Sequence, residues 1–192
     1  MKTLIIIPSR LAATRLPGKP LLKINGLSII SHVFKKAEKA KIGDVLVATE
    51  NQEIVDDVKK NGGEAVLTSD KHNTGTDRIY EALQKTKIPK IDLVMNLQGD
   101  EPLIDVNDIR NLNQLMTNTN SKIGTLASKI LDKKFYDNQS VVKVKTKEEL
   151  DHKNFPEAIY FKRKTPKKDL NIYHHMGIYC YEVETLKDFV SY

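Results

Sequence analysis

Residues 4–19, Leu-Ile-Ile-Ile-Pro-Ser-Arg-Leu-Ala-Ala-Thr-Arg-Leu-Pro-Gly-Lys, join an apolar run to a basic loop. The run at 4–7 is short and β-branched, which predicts a strand buried on both faces of a sheet. Pro8 has no backbone N–H for a sheet ladder, so we expect the strand to end there. Ligands of open parallel sheets bind beyond the carboxyl ends of the strands, and three cations at that place suit a polyphosphate. These cations are Arg10, Arg15 and Lys19.

A second polar loop follows another apolar run. Residues 93–97 predict a buried strand, and Gln98-Gly99-Asp100-Glu101-Pro102 comes directly after it. Mg²⁺ in proteins takes one or two carboxylates and completes its shell with water and phosphate oxygens, so Asp100 is a candidate ligand. Either loop by itself could be a solvated surface loop or a turn. In a doubly wound sheet both loops would face one crevice, which favours a magnesium–polyphosphate site.

The segment between these loops alternates between strand-like and helix-like patterns. Residues 45–48 and 65–67 are short apolar runs typical of buried strands. Ser28 is the expected N-cap of a helix with an apolar stripe over 29–37, and a second short helix is expected through 54–58. This order predicts right-handed crossovers and an α/β, Rossmann-like fold, a mostly parallel sheet with helices on both faces.

The pattern changes after residue 120. We expect strands at 123–130, 141–144, 158–161 and 178–181 and a helix at 184–190. Lys143 and Lys145 alternate with apolar residues, which predicts an edge position for the strand at 141–144. His174 and His175 precede the last strand; neighbours on a strand point to opposite faces, so they are not expected to hold one metal together.

A third polar segment, residues 72–78, opens another helix and reads His-Asn-Thr-Gly-Thr-Asp-Arg. Gly75 allows the backbone to approach a ligand, and the N–H groups at a helix start are ready donors. Arg78 would project from the first turn of this helix. A well-capped helix start without any ligand explains the same residues, and it is the simpler interpretation when they are taken alone.

Composition limits the function classes. The chain has 192 residues, which predicts a single domain, and 40% of them are hydrophobic, enough for a core. A net charge of +6 favours an anionic ligand, but the basic run at 162–168 has no interleaved aromatics for stacking bases, so nucleic acid is not expected. We find no membrane span, no signal peptide and only one cysteine, Cys180, and expect a cytoplasmic protein. The G-x-G-x-x-G fingerprint and the P-loop are absent.

Taken together, the motifs resemble those of the 3-deoxy-manno-octulosonate cytidylyltransferases, or CMP-KDO synthetases. The resemblance covers the whole chain, and its most specific parts are the Leu-Pro-Gly-Lys-Pro and Gln-Gly-Asp-Glu-Pro loops. The matching motifs are Pro8-x-Arg10, Thr14-Arg15-Leu16-Pro17-Gly18-Lys19-Pro20, Gly75-Thr76-Asp77-Arg78, Asn96-x-Gln98-Gly99-Asp100-Glu101-Pro102, Tyr160-Phe161-x-Arg163 and His175-x-Gly177-Ile178-Tyr179.

The resemblance implies a fold of the nucleotide-diphospho-sugar transferase type and a homodimer. It also implies a reaction in which KDO and CTP give CMP-KDO and pyrophosphate with Mg²⁺, for lipopolysaccharide biosynthesis. The residues that it implies are Arg10, Lys19 and Asp100 for catalysis; Arg10, Arg15, Lys19, Gly75, Thr76 and Arg78 for the nucleotide; Gln98, Arg163 and His175 for the sugar acid; and Asp100 for the metal.

Two departures from the family pattern leave alternatives open. The family has Ser at the position of Lys162, and its members continue beyond Tyr192 with a Leu-Glu-Gln-Leu-Arg stretch and an aspartate that is a second magnesium ligand. We therefore expect residues 1–192 to be one nucleotidyltransferase domain that is incomplete at its C-terminus. The alternatives are a related nucleotidyltransferase for another acidic or amino sugar, and a CTP-binding remnant without activity.

Overall fold

The computed structural model describes residues 1–12, 16–132, 134–151, 154–164 and 170–191. The chain forms two compact units. The first comprises Met1–Gly124 and Ile178–Tyr192, and the second comprises Thr125–Gly177. One functional domain over all 192 residues stays a prediction.

Ten strands and six helices make up the described part of the chain. The strands are β1 (Thr3–Ser9), β2 (Lys23–Ile24), β3 (Leu27–Ser28), β4 (Gly43–Thr49), β5 (Ala65–Leu67), β6 (Leu93–Asn96), β7 (Ile123–Lys129), β8 (Lys143–Thr146), β9 (Ala158–Lys162) and β10 (Ile172–Glu182). The helices are α1 (Ile29–Ala40), α2 (Gln52–Lys60), α3 (Gly75–Lys85), α4 (Val106–Thr119), α5 (Lys134–Asp137) and α6 (Val183–Val190). A single 3-10 turn covers Lys19–Leu21.

The sheet of the first unit has the predicted parallel core. Its strands lie in the order β5-β4-β1-β6, all parallel, and residues 179–182 of β10 pair with β6 in the antiparallel direction. The chain winds outward from β1 to β5 and then returns to place β6 on the other side of β1. The strand order therefore reverses between β1 and β6, which is where open α/β sheets bind ligands.

Helices cover both faces of this sheet, as the sequence predicts. Leu4 and Ile6 of β1 are fully buried against Ile79 of α3 and Leu186 of α6. The alternate residues of β1, at positions 5 and 7, are also fully buried and point to the opposite face. The helix α1, which contacts β1, α2 and α4, covers that face.

The expected end of the first strand at Pro8 is wrong, because β1 continues to Ser9. The N–H of Leu97 donates to the carbonyl of Ile6, so the backbone of Ile6 faces β6, and that of Pro8, two residues on, faces the same side. Pairing between β1 and β6 ends at the level of Asn96. The missing N–H of Pro8 therefore costs no ladder hydrogen bond, while the pairing with β4 runs on to Ser9.

The helix starts follow their sequence signals. The side chain of Ser28 accepts a hydrogen bond from the N–H of Ser31, which confirms the expected N-cap of α1. Thr74 and Asp77 form a reciprocal capping box at the start of α3, and Asp105 caps α4. Each cap satisfies N–H groups that have no partner within the helix.

In the second unit, the edge position expected for residues 141–144 is wrong. The strand β8 pairs with β9 on one side and with residues 172–174 of β10 on the other. Lys143, whose charge suggested an exposed edge, is fully buried on β8. His174 and His175 lie within β10, which begins six residues earlier than the pattern indicates.

The cysteine of this chain is a buried core residue. Cys180 is fully buried on β10, and burial raises the pKa of its thiol to about 12, so it packs as a small apolar side chain.

In the described part of the chain, no helix is both long enough and apolar enough to cross a membrane.

Candidate active site

A cleft of about 320 Å³ opens in the first unit at the carboxyl ends of β1 and β6. Four segments line it: residues 8–10 at the end of β1, residues 19–20, residues 72–75 together with Arg78, and residues 98–100 after β6. The structure thus brings the basic loop, the helix start and the acidic loop together. Parallel strands that are neighbours deliver their following loops to the same edge of the sheet, which accounts for this convergence.

An ion pair joins the basic and acidic loops across the cleft. The Nζ atom of Lys19 lies 2.8 Å from Oδ2 of Asp100, although the two residues are 81 positions apart in the chain. Gly18 turns the backbone with a left-handed φ of 70°, and the 3-10 turn that starts at Lys19 follows. The side chains of Lys19 and Asp100 are 33% and 53% exposed, so both remain accessible to a ligand and their pairing contributes little to stability.

The close approach of the two loops requires glycine after β6. A Cβ atom on Gly99 would lie 2.9 Å from the carbonyl oxygen of Pro8 and 3.2 Å from Cδ1 of Ile30. Any larger residue would therefore push the acidic loop away from the end of β1. Beside this contact, the hydroxyl oxygen of Ser9 is buried and has no hydrogen-bond partner in the described part of the chain. Ser9 lines the cleft, so this unpartnered hydroxyl belongs to the wall of the cleft.

The carboxylate of Asp100 lines the cleft and suits a divalent cation that arrives with a polyphosphate, and Glu101 follows it in the chain. Burial and the neighbouring charge of Asp100 raise the pKa of Glu101, while Lys19 opposes this shift. Among the described residues, no group of three acidic, histidine or cysteine side chains could hold a metal by itself. One or two carboxylates at Asp100 and Glu101 match the donor set of Mg²⁺ bound to a substrate phosphate.

The remaining predicted nucleotide residues have different surroundings. Arg10 lines the cleft and is exposed, as a ligand-binding cation should be. Arg15 lies outside the described residues. Gly75 begins α3 at the wall of the cleft, whereas the next residue, Thr76, is half-buried and does not line the cleft. The structure places the backbone of this helix start at the cleft, where its free N–H groups can act as donors.

Arg78 has a carboxylate partner that sequence reasoning missed. Its guanidinium is buried and pairs with Glu50, which follows β4, and it also donates to Oγ1 of Thr68 and to the carbonyl of Ser69. Arg78 therefore ties the end of β4 to the segment after β5 while it lines the cleft. No local pattern signals the pair, because Glu50 is 28 residues away in the sequence.

His72 lines the cleft and is not among the predicted site residues. Its Nε2 atom contacts the carboxylate of Glu81, which also accepts from the N–H of Ser69 and pairs with Lys85. Burial raises the pKa of Glu81, but the hydrogen bonds from Lys85, Ser69 and His72 outweigh it and lower the pKa to about 2. Glu81 is thus an anion that fixes the imidazole at the wall of the cleft.

The three predicted sugar-acid residues are divided between the two units. Gln98 lines the cleft of the first unit. Arg163 is an exposed residue of the second unit. Its Nη1 atom donates to the backbone carbonyls of residues 139 and 140. His175 lies 3.0 Å from Oγ1 of Thr125 and packs edge-on against Phe161. Burial and the neighbouring His174 lower the pKa of His175 to about 4, so its imidazole is neutral at pH 7.

Comparisons with known proteins agree on one enzyme family. The family model described as "Cytidylyltransferase" matches residues 4–192. The 3-deoxy-manno-octulosonate cytidylyltransferase of Rhodopseudomonas palustris (strain BisB18) is 45% identical over 192 residues, covering 99% of this chain and 78% of the relative. The protein of the same name from Nitrobacter winogradskyi is 44% identical, covering 99% and 75%. A solved structure of CMP:2-keto-3-deoxy-manno-octonic acid synthetase complexed with CTP matches with a TM-score of 0.87 and 34% identity, covering 100% of this chain and 78% of that one.

The lowered pKa of Glu81 generates a prediction about pH. Because the pKa of Glu81 is lowered in the folded state, its contribution to stability is complete above about pH 5 and is lost as the pH falls towards about 2. We expect Glu81→Gln to lower the free energy of unfolding at pH 7. The gap, which is the difference in this free energy between the variant and the wild type, should narrow between about pH 5 and pH 3. Urea titrations at several pH values measure this gap.

Glu149→Gln is the matched control, since the side chain of Glu149 is 75% exposed. The control should follow the wild type at every pH. A gap for Glu81→Gln that stays constant down to pH 3 would contradict the assignment of the anion.

Proposed function

Since the chain belongs to the 3-deoxy-manno-octulosonate cytidylyltransferase family, we propose that it transfers the cytidylyl group of CTP to KDO, giving CMP-KDO and pyrophosphate. The observation that carries the proposal is the cleft in which Lys19 and Asp100 meet at the ends of β1 and β6. A cation there suits the triphosphate, and a carboxylate suits its metal ion. The product is a precursor for lipopolysaccharide biosynthesis.

In the proposed reaction the anomeric hydroxyl oxygen of KDO attacks the α-phosphorus of CTP. The bond between the α-phosphorus and the bridging oxygen breaks, pyrophosphate leaves with the electron pair, and the hydroxyl proton is released. Arg10, Arg15 and Lys19 bind the triphosphate and stabilise the charge that develops on the leaving pyrophosphate. Such electrostatic stabilisation is usually the largest catalytic contribution in phosphoryl-type transfers.

Asp100, with Glu101 beside it, is the proposed holder of Mg²⁺. When bound, Mg²⁺ neutralises phosphate charge and lowers the pKa of a coordinated hydroxyl. The ammonium of Lys19 donates a hydrogen bond to one carboxylate oxygen of Asp100. We propose that Lys19 exchanges this carboxylate for phosphate oxygens when the nucleotide binds, which leaves Asp100 to the metal.

The start of α3 forms the proposed wall for the nucleotide. Gly75 and Thr76 offer backbone N–H groups there, and Arg78, held by Glu50, fixes the position of the helix start relative to β4. Arg78 thus presents a fixed cation at the wall of the cleft. A buried arginine that already has a carboxylate partner acts by orientation more than by moving towards a ligand.

Gln98, Arg163 and His175 are the proposed residues for the sugar acid. A guanidinium such as that of Arg163 recognises a carboxylate with two parallel hydrogen bonds. His175 is proposed as a hydrogen-bonding group and not as the general base, because its pKa of about 4 is far below the pH at which a base would work efficiently. The proposal further includes a homodimer and a cytoplasmic location, by analogy with the family.

The substrate assignment is tested by measuring pyrophosphate release. With CTP and Mg²⁺ present, we expect release when KDO is added and none with sialic acid or with sugar phosphates. Equal pyrophosphate release with a different acidic or amino sugar would mean that KDO is not the specific acceptor. CTP binding without release for any acceptor would mean that the chain is a nucleotide-binding protein without this activity.

Asp100→Asn tests the role of the carboxylate. We expect pyrophosphate release to fall by about 10²–10³-fold or more, the usual loss when one group that stabilises transition-state charge is removed. The melting curve should stay almost unchanged, because the pair with Lys19 is exposed. Asp56→Asn, on the exposed surface of α2, is the control and should keep full activity. Normal turnover in Asp100→Asn would remove this residue from the proposed metal site.

A further inference from the structure

The second unit contains a lysine that is completely withdrawn from solvent. Lys143 on β8 is 0% exposed, and among the described residues it has the largest fully buried side chain. A charged ammonium is costly to bury unless its protons find acceptors. The Nζ atom of Lys143 donates to the carbonyl of Asn138 at 2.7 Å and to the carbonyl of Arg163 at 2.8 Å.

The turn that Lys143 contacts is also held by Arg163. The Nη1 atom of Arg163 donates to the carbonyl of Gln139 at 3.0 Å and to that of Ser140 at 3.2 Å. Two cations therefore bind three successive carbonyls, those of residues 138–140, which we call the carbonyl turn. Lys143 in addition binds the backbone of Arg163 itself. The two contacts of Lys143 thus fix both the main chain of Arg163 and the turn on which its side chain rests.

Charged groups of both signs lie around Lys143. Burial and the charge of Arg163 lower the pKa of Lys143, and Asp137 on α5 opposes them. Burial and the charge of Lys143 in turn lower the pKa of His174 on β10. Lys143 is enclosed, whereas Arg163 is exposed, so Arg163 is the cation that an anionic ligand can reach.

We propose that Lys143 is a positioning residue, which holds the main chain of Arg163 and the carbonyl turn so that the Arg163 guanidinium is fixed for the carboxylate of the sugar acid. This inference rests on the proposed role of Arg163 in binding KDO. Lys143 itself touches no substrate. A well-packed apolar side chain often replaces a buried ion without loss of stability, so orientation of a neighbour is the better reason for a charge at this position.

Lys143→Met separates positioning from stability. Methionine fills a similar volume but donates no hydrogen bond, so we expect faster hydrogen–deuterium exchange over residues 138–141 and a KM for KDO raised by about tenfold. This is the size expected when one hydrogen bond to a charged group is lost. The KM for CTP should change less than about twofold, because the nucleotide residues lie on other segments. Lys147→Met, at an exposed position on the same segment, is the control and should alter neither quantity.

A double-mutant cycle with Arg163→Ala shows whether the two residues act together. If Lys143 works through Arg163, Lys143→Met should raise the KM for KDO in the wild type and have almost no further effect in Arg163→Ala. Additive effects would overturn the inference. So would unchanged exchange over residues 138–141, or equal losses for KDO and CTP.

The cycle also distinguishes failure of the inference from failure of the proposed function. If Arg163→Ala by itself leaves the KM for KDO unchanged, the sugar-acid role of Arg163 is wrong, and the positioning inference falls with it. If Arg163→Ala raises that KM but Lys143→Met does not, only the positioning inference is wrong. Lys143→Gln, which keeps a donor, provides the same comparison where Lys143→Met is not recovered folded, and should show a smaller increase in KM.

Discussion

The parallel pairing of β1 with β6 is the constraint on which the candidate site depends. These strands are far apart in the sequence but lie side by side in register, with Ile6 opposite Asn96. Their carboxyl ends therefore meet at one edge of the sheet, and the loops that follow must share the same space. Only glycine at position 99 allows the loop after β6 to pass so close to the carboxyl end of β1. The contact between Lys19 and Asp100 is a direct consequence of this pairing.

The charges around the cleft divide into two kinds by their burial. Arg78, whose side chain is 4% exposed, pairs with Glu50 and joins elements of the scaffold, whereas the partly exposed Glu81 holds the loop of His72. Such pairs cannot be exchanged for a ligand without leaving a buried charge unpaired. The pair of Lys19 with Asp100, in contrast, is exposed and weak, so a ligand can displace it at little cost. The less exposed ions fix the walls of the cleft, and the exposed pair of Lys19 with Asp100 is the one that a ligand can displace.

Local sequence signals predicted most of the first unit because they act over a few residues. The N-cap at Ser28 and the apolar runs of the parallel strands needed no knowledge of the rest of the chain. The resemblance to a family predicted which residues belong to the site, because the spacing of residues by itself left the role of each loop open. The end of β1 was predicted wrongly because the cost of Pro8 depends on which neighbour its backbone faces.

The errors in the second unit and the missed residues have a common physical cause. The alternation of Lys143 with apolar residues is typical of an edge strand, but carbonyl groups from a distant turn satisfy this ammonium inside the protein. Likewise, Glu50 and Glu81 contribute to the cleft only through partners that the fold brings to them. Pairing of charges over long sequence separations is decided by the tertiary structure, so no motif could reveal it.

Calorimetric titration of CTP, with and without Mg²⁺, into the wild type and Lys19→Ala tests the central claim most directly. If one cleft binds a metal-loaded triphosphate between the two loops, Lys19→Ala should weaken CTP binding by about tenfold or more, as expected for the loss of a charge-assisted hydrogen bond to phosphate. Unaltered affinity for CTP in a folded Lys19→Ala variant would contradict the claim.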